Sequence, residues 1–335
     1  MNRFAFTDCT TVGQALAELG RGAEIKAGGV DLLDRMKDGV SAPSRLVNIR
    51  NIRALEGIQE GSSGLKIGPL ATLAEIQNHK AIRQKYAALA DAAGHAATPQ
   101  IRNMATAGGN LLQRPRCWYF RAEEFHCLKK GGDQCFAIPG EHQYHAIFDN
   151  RICAIVHPSA LAVPLMAMNA QIELTSNSGK RTVPIEQFFV APEQNVLVEN
   201  VVRPDELLTA IHVPAPAAGT RSAYQKYGEK ESFDWPLADA GVVLEMKANV
   251  CRRAAIVLGA AAPVPLRATG AESLLAGQPI TEELARAAGR AALRGATPLQ
   301  KNHYKIPMFE TAIYWTILLA AGMMGRDPSA VGGAA

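Results

Sequence analysis

The chain is poor in cysteine and aromatic residues, and it has no long run of charge of one sign. Among 335 residues there are six cysteines, aromatic residues make up 6%, and the 35 basic residues exceed the 31 acidic ones by only four. A chain of this length does not depend on disulfide bonds, as small secreted domains do. The charge pattern gives no electrostatic reason to expect a nucleic-acid partner.

Long apolar runs are also missing. The most apolar stretch, Ala312–Met324, is followed by Gly325, and it is shorter than the roughly 20 residues needed to cross a bilayer. We therefore expect no membrane span and a buried C-terminal helix ended by a glycine. The first ten residues, MNRFAFTDCT, contain no apolar core of signal-peptide length, so we expect no export signal in the chain itself.

What is present is a folded protein of two or three domains. Apolar residues make up 48% of the chain, and 335 residues exceed what one core usually organises. The first fifty-odd residues predict a β-α-β unit, with Thr10 capping its first helix and a strand at Arg45–Ile49. Alternating residues on both sides of Asn177 predict a hairpin. The proline- and alanine-rich segment 213–219 predicts a domain boundary, beyond which we expect an antiparallel sheet and three helices.

Two glycine turns are candidates for phosphate binding. In KAGGVDLL, Gly28 and Gly29 lie between a predicted strand and a helix that begins near Asp31. Such a turn presents backbone N–H groups and the positive end of the helix dipole. In MATAGGNLLQ, Thr106 and Asn110 flank a second glycine pair. Each turn alone is a weak signal, because both patterns also occur in ordinary structural turns.

Four motifs together resemble a known family. They are KAGGVDLL, IRNMATAGGNL, RPDELLTAIHVP and YQKYGEKESFDWPLADAGVVLEM. Their order and spacing resemble the FAD-binding subunits of the xanthine dehydrogenase family of molybdenum hydroxylases, over nearly the whole chain. The resemblance implies an α+β fold with a two-part PCMH-type FAD-binding domain, at 1–58 and 59–216. A C-terminal α+β domain like that of the CO dehydrogenase flavoprotein follows at 217–335.

The resemblance also implies which residues bind FAD. The first loop surrounds the pyrophosphate, the second contacts the diphosphate and the flavin side, and a lysine lies near the isoalloxazine. Many relatives carry an acidic residue where this chain has Ala160, which leaves Ser159 as the candidate there. The implied FAD contacts are Lys26, Ala27, Gly28, Gly29, Val30, Asp31, Leu32, Leu33, Asp34, Thr106, Gly108, Gly109, Asn110, Ser159 and Lys226.

Four of the six cysteines lie close together in the sequence. Cys117, Cys127, Cys135 and Cys153 are separated by nine, seven and seventeen residues. This spacing contains no CxxC pair, and thiolates suit both iron-sulfur clusters and zinc. Spacing alone leaves the metal open, because four histidines that could complete a zinc site lie in the same region: His126, His142, His145 and His157.

The resemblance favours iron. A subset of the family, including periplasmic aldehyde oxidoreductases, carries an insertion after the second glycine turn whose four cysteines bind a [4Fe-4S] cluster. The segment at about 113–157 resembles that insertion, which implies cluster ligation by Cys117, Cys127, Cys135 and Cys153. Cys9 and Cys251 are then ordinary small apolar residues. Five basic residues near the ligands either raise the cluster potential or form a solvated rim: Arg114, Arg116, Arg121, Lys129 and Lys130.

The implied function is electron transfer within a larger bacterial enzyme. A large subunit with molybdenum cofactor would oxidise an aldehyde, and a small subunit with [2Fe-2S] clusters would pass electrons to FAD. An external acceptor such as ferredoxin, quinone or oxygen would receive them. The complex would be cytoplasmic, or periplasmic by co-export with a partner. The alternatives are a subunit of an aromatic acyl-CoA reductase such as 4-hydroxybenzoyl-CoA reductase, and a zinc-braced, non-catalytic assembly protein.

Overall fold

The computed structural model describes residues 2–229 and 233–325. Helices and strands are mixed along the chain, and the strands form three sheets that follow one another in sequence. No helix in these two ranges is long and apolar enough to cross a bilayer.

The first sheet is parallel and belongs to the N-terminal part. Its elements are β1 (Ala5–Asp8), α1 (Val12–Glu18), β2 (Ala23–Lys26), α2 (Val30–Lys37) and β3 (Arg45–Asn48), with strand order β1-β3-β2. The predicted β-α-β unit is therefore present, with an additional strand, β1. The predicted cap is wrong by one residue, because Thr11 rather than Thr10 caps α1 and shares a capping box with Gln14.

The second sheet is antiparallel and has the order β4-β5-β8-β6-β7. Its strands are β4 (Ile58–Gly61), β5 (Gly64–Ile67), β6 (Gln171–Ser176), β7 (Gly179–Pro184) and β8 (Leu207–Pro214). The hairpin predicted around Asn177 is confirmed as β6 and β7. Eight short helices accompany this sheet: α3 (Leu73–Asn78), α4 (Lys80–Lys85), α5 (Ala87–His95), α6 (Pro99–Arg102), α7 (Ala107–Leu111), α8 (Trp118–Arg121), α9 (Ala162–Ala167) and α10 (Pro192–Asn195). Single turns of 3-10 helix lie at Arg53–Leu55, Leu128–Lys130 and Ile185–Gln187.

The third sheet is the predicted antiparallel one. It has the order β12-β11-β10-β9, from β9 (Thr220–Tyr227), β10 (Ala238–Lys247), β11 (Val250–Gly259) and β12 (Leu266–Arg267). Three helices follow, α11 (Thr269–Leu275), α12 (Glu282–Ala292) and α13 (Lys305–Ala321). Helix α13 is buried as predicted, but it ends earlier, because Gly322 rather than Gly325 adopts the left-handed conformation that stops it.

The second and third sheets share an apolar core. Tyr224, Val243 and Val257 of the third sheet belong to the same buried cluster as residues of β5, β6 and α9. We propose domain boundaries just before Ile58 and within 215–219, since neither position interrupts a strand. The first of these lies one residue earlier than the sequence predicted.

Candidate functional site

A groove with a volume of about 420 Å³ lies where the three parts of the chain meet. Every FAD contact predicted from the sequence lines this groove except Lys26, Leu33 and Ser159. The two glycine turns form one wall, and β9 of the third sheet forms another. The structure thus brings together residues that are nearly 200 positions apart in the chain.

The first glycine turn has a backbone that only glycine fits. Gly29 adopts φ 81°, which is left-handed, and it precedes the first residue of α2. A Cβ on Gly28 would lie 1.9 Å from the carbonyl oxygen of Met104, because the two glycine turns touch there. Within the described parts of the chain, the backbone N–H groups of Gly28, Gly29 and Val30 make no hydrogen bond. Free N–H groups at the start of an eight-residue helix suit a phosphate.

The second glycine turn differs, because its N–H groups are already used. Gly108 donates to the carbonyl oxygen of Pro69 at 2.9 Å, and Gly109 donates to the side chain of Thr106 at 3.2 Å. The N–H of Asn110 donates to the carbonyl oxygen of Thr106 at 2.8 Å. These backbone N–H groups thus have partners within the protein, and the turn lines the groove.

The three predicted residues that do not line the groove make contacts behind it. The hydroxyl of Ser159 donates to Asn110 Oδ1 at 2.7 Å, which fixes the side chain of Asn110. Lys26 Nζ donates to Asn48 Oδ1 at 3.1 Å, and Leu33 packs on the small apolar cluster beneath α2. Ala160 does line the groove.

The third sheet contributes a lysine and a buried polar pair. Lys226 Nζ donates to the carbonyl oxygens of His95 and Asp234, at 2.9 and 2.8 Å, and burial lowers the pKa of Lys226. Next to it, the hydroxyl of Tyr224 donates to Asp239 at 2.9 Å. Burial raises the pKa of Asp239 to about 6.

The sequence did not predict several groove residues. Phe233 and Trp235 are about half exposed at the groove, and the Arg116 guanidinium lies 4.7 Å from the centre of the Trp235 ring. The turn at 95–98 also lines the groove. Buried Arg102 holds this turn by donating to the carbonyl oxygens of Ala96 and Ala97, at 3.3 and 2.6 Å. The SFDWP motif was the available signal for the aromatic pair, whereas nothing local marks the turn.

A second, smaller cavity is lined by the four clustered cysteines. Cys117, Cys127, Cys135 and Cys153 surround it together with Lys129 and with apolar and aromatic side chains from the same segment. Cys127 and Cys153 are buried, and the other two are partly buried. The remaining described cysteines, Cys9 and Cys251, do not line this cavity and are buried in apolar clusters, as predicted.

Backbone N–H groups hydrogen-bond three of these four sulfurs. Burial raises the pKa of Cys117 to about 11, but the backbone N–H groups of Phe120 and Tyr119 hydrogen-bond its sulfur and act in the opposite direction. The hydrogen bond from Cys153 lowers the pKa of Cys135, and the same contact raises the pKa of Cys153. Further N–H donors to Cys135 and Cys153 come from Ala137, Ile138, Ala154 and Ile155. N–H donors to sulfur are what an anionic iron-sulfur cluster requires.

The four histidines considered as zinc ligands do not line the cysteine cavity. His126 is exposed, His142 bonds the carbonyl oxygen of Ala137 and the N–H of Lys301, and His157 accepts from the N–H of Ser159. Burial lowers the pKa of His157 to about 3 and that of His145 to about 4. Only His145 reaches a cysteine, with Nε2 3.2 Å from Cys117 Sγ. In 2–229 and 233–325, no three donor side chains lie close enough to hold a single metal ion.

Salt bridges join the cysteine segment to the rest of the protein. Arg121 and Arg116 contact Asp31 of α2 at 2.6 and 3.1 Å, and Lys129 contacts Glu199 at 2.8 Å. Burial alone would raise the pKa of Asp31, but the hydrogen bond and charge of Arg121, with the charge of Arg116, lower it. Four of the basic residues thus anchor the segment to carboxylates outside it: Arg114, Arg116, Arg121 and Lys129. Lys130 instead donates to the carbonyl oxygen of Ala122 within the segment, and Lys129 also lines the cysteine cavity.

Comparisons with known proteins show the family of the chain. Residues 2–216 match the FAD binding domain in molybdopterin dehydrogenase, and residues 222–308 match the CO dehydrogenase flavoprotein C-terminal domain. The aldehyde oxidoreductase FAD-binding subunit PaoB of Escherichia coli strain K12 is 30% identical over 312 residues, covering 91% of this chain and 94% of that protein. The carbon monoxide dehydrogenase medium chain of Hydrogenophaga pseudoflava is 31% identical over 301 residues, covering 89% and 88%.

A solved structure gives the same result. Carbon monoxide dehydrogenase from Hydrogenophaga pseudoflava superimposes with a TM-score of 0.76 at 27% identity, covering 97% of this chain and 99% of that one. The fold and the groove define a flavoprotein of α+β architecture, which confirms the predicted fold class. The chain belongs to the FAD-binding subunits of the molybdenum hydroxylase family.

Proposed function

We propose that this chain is the electron-transfer subunit of a molybdenum-dependent aldehyde oxidoreductase, with FAD in the groove and a [4Fe-4S] cluster on Cys117, Cys127, Cys135 and Cys153. The similarity to an aldehyde oxidoreductase subunit over nearly the full length of both chains supports this substrate class. When bound, FAD accepts single electrons and delivers one or two, and the cluster supplies a one-electron site.

The groove fits FAD because its donors are free where the pyrophosphate needs them. The first glycine turn and the positive end of α2 would hold the phosphates. Lys226 would present its positive charge to the isoalloxazine, held in place by two carbonyl oxygens. The backbone N–H groups of the second glycine turn already make hydrogen bonds within the protein. This turn would therefore fix the position of the isoalloxazine ring rather than bind phosphate.

The cysteine cavity fits a cluster better than it fits zinc. Its lining contains four thiols and no histidine, and the thiols receive several backbone N–H donors. A [4Fe-4S] cube takes one thiolate at each iron, so its ligands do not need to converge on one ion as zinc ligands do.

One observation carries the proposal that the two cofactors work together. Arg116 lines the flavin groove, and the next residue, Cys117, lines the cysteine cavity. A single peptide unit therefore separates the two sites. This closeness favours a relay between FAD and the cluster over a purely structural role for the cluster.

The partners are proposed from the family. CO dehydrogenase relatives are medium chains, and this chain has no recognised molybdenum cofactor or [2Fe-2S] motif. We propose a large subunit with molybdenum cofactor, a small subunit with [2Fe-2S] clusters, and an external acceptor such as ferredoxin, quinone or oxygen. Co-export with a partner would place the complex in the periplasm, and fractionation of cells carrying the whole operon would distinguish this from the cytoplasm.

The test is to purify the intact complex and measure FAD, iron, acid-labile sulfide and zinc. We expect about four iron and four sulfide per FAD attributable to this chain. Cys127→Ser should lower the iron content, whereas Cys251→Ser, a matched change of a buried cysteine outside the segment, should not. Zinc in place of iron and sulfide would contradict the cluster assignment, and absence of FAD would contradict the flavin assignment. Assays with aromatic aldehydes and with aromatic acyl-CoA thioesters separate the two candidate enzymes.

A further inference from the structure

One side chain outside the cysteine cavity reaches a cysteine of the proposed cluster. His145 Nε2 lies 3.2 Å from Cys117 Sγ, and His145 is buried. Apart from the four cysteines themselves, no other described side chain hydrogen-bonds any of these sulfurs. The remaining donors to them are backbone N–H groups.

The position of His145 is fixed by the third part of the chain and by Trp118 of the cysteine segment. Its carbonyl oxygen accepts hydrogen bonds from Lys305 Nζ and Asn302 Nδ2, each at 3.0 Å. Its ring packs edge-on against Trp118, with ring centres 5.5 Å apart. Lys305 is itself completely buried at the start of α13. The backbone of His145 is therefore held by the third part of the chain, and its imidazole packs between Trp118 and Cys117.

The direction of the hydrogen bond follows from the partners. A cluster-ligating thiolate only accepts, so the nitrogen facing it must carry the proton. His145 Nδ1 has no hydrogen-bond partner within 2–229 and 233–325, and a proton there would be buried without an acceptor. The tautomer with the proton on Nε2 is the one that matches both neighbours.

We propose that His145 sets the reduction potential of the cluster by donating its Nε2–H to the Cys117 thiolate. Donation to a ligand sulfur withdraws electron density and stabilises the more negative, reduced cluster, which raises its potential. Cys117 is the ligand next to Arg116 at the flavin groove. His145 is thus a positioning residue that biases electron distribution between FAD and the cluster, and this inference rests on the proposed function.

The test compares His145→Phe, which removes the donor, with His145→Gln, which retains one. Both are made in the intact complex, and His126→Phe is the matched control at an exposed histidine of the same segment. The cluster potential is measured by titration followed by electron paramagnetic resonance, with the flavin potential as an internal reference. We expect His145→Phe to keep iron and sulfide and to lower the reduced-to-oxidised ratio at a fixed potential about tenfold, which corresponds to about 59 mV for a one-electron couple. His145→Gln should bring the cluster potential most of the way back to the wild-type value. The flavin potential should not change in either variant.

An unchanged cluster potential in His145→Phe would overturn the inference, as would a His145→Gln protein that behaves like His145→Phe. If His145→Phe loses iron, the wild-type complex with ¹⁵N-labelled histidine gives the answer instead. A ¹⁵N hyperfine coupling to the reduced cluster is expected, and its absence would overturn the hydrogen bond. If the wild-type complex contains no iron and sulfide, the proposed function itself is wrong. The metal analysis detects that outcome separately from the test of His145.

Discussion

Replacing Asp31 with asparagine should destabilise the protein and release the proposed cluster. The carboxylate accepts from Arg121 at 2.6 Å, Arg116 at 3.1 Å, Arg35 at 3.1 Å and the N–H of Arg114 at 3.2 Å. An asparagine keeps one acceptor oxygen, and its amide would face donors on the other side. The change also removes the negative charge among three guanidinium groups whose side chains are 11–21% exposed.

The magnitude follows from burial. Removing one partner of a buried ion pair costs about 3–5 kcal/mol, and we expect the lower end, about 3 kcal/mol, because Arg35 keeps Glu24 and Arg116 keeps Asp34. Asp34→Asn is the matched control on the same helix. Asp34 also contacts Arg116, at 3.0 Å, but its side chain is 53% exposed, so its loss should cost about 0–1 kcal/mol.

The assay is urea unfolding of both variants, together with iron and sulfide content of the complex. The folded-state pKa of Asp31 is lowered, so its contribution is present above the unfolded pKa of about 3.9 and is lost as pH falls through the folded value. The stability gap between wild type and Asp31→Asn should therefore narrow at strongly acidic pH. Equal stability and equal iron content in Asp31→Asn and Asp34→Asn would refute the reasoning.

Two further predictions concern the groove and the buried carboxyl beside it. Gly28→Ala should lose most bound FAD, because its Cβ would lie 1.9 Å from the Met104 carbonyl oxygen. Gly13→Ala is the control and should keep FAD, because a Cβ there has nothing within 4 Å. The measurement is flavin absorbance at equal protein concentration, and full FAD occupancy in Gly28→Ala would contradict the close contact. Because burial raises the folded pKa of Asp239 to about 6, its contribution to stability is complete below about pH 4 and is lost as pH rises through 6. In urea unfolding, the free energy of unfolding of Asp239→Asn should therefore rise relative to that of wild type by up to about 3 kcal/mol between pH 4 and pH 7. A difference between the two proteins that does not change with pH would exclude a protonated Asp239. The charged or titratable groups facing Asp239 are Tyr224, Lys226 and Lys305.

Elements that depend on interactions between residues close in sequence could be predicted. The β6–β7 hairpin follows from the turn residues between two alternating runs. The first glycine turn likewise has its strand, glycines and helix in sequence. Strand β1 was missed because four mostly exposed residues give no clear apolar alternation.

The second glycine turn shows where sequence reasoning stopped. Its two glycines look as suited to phosphate as the first pair, yet their N–H groups bond Pro69 and Thr106. Pro69 is far away in sequence, and only the folded chain shows that it uses this donor. The same holds for the three arginines around Cys117, Arg114, Arg116 and Arg121. Their carboxylate partners, Asp31 and Glu199, are more than 80 residues away rather than at the neighbouring Glu123 and Glu124.

These distant carboxylates link the two proposed cofactor sites. Asp31 stands in the first turn of α2, beside the free N–H groups of the flavin groove, and the same carboxylate holds the arginines on both sides of Cys117. A movement of α2 that widened the groove would therefore also shift the arginines on both sides of Cys117. The structure thus predicts that FAD occupancy and iron occupancy fall together in variants of Asp31. In a variant such as Gly28→Ala, which leaves these ion pairs in place, FAD should be lost before iron.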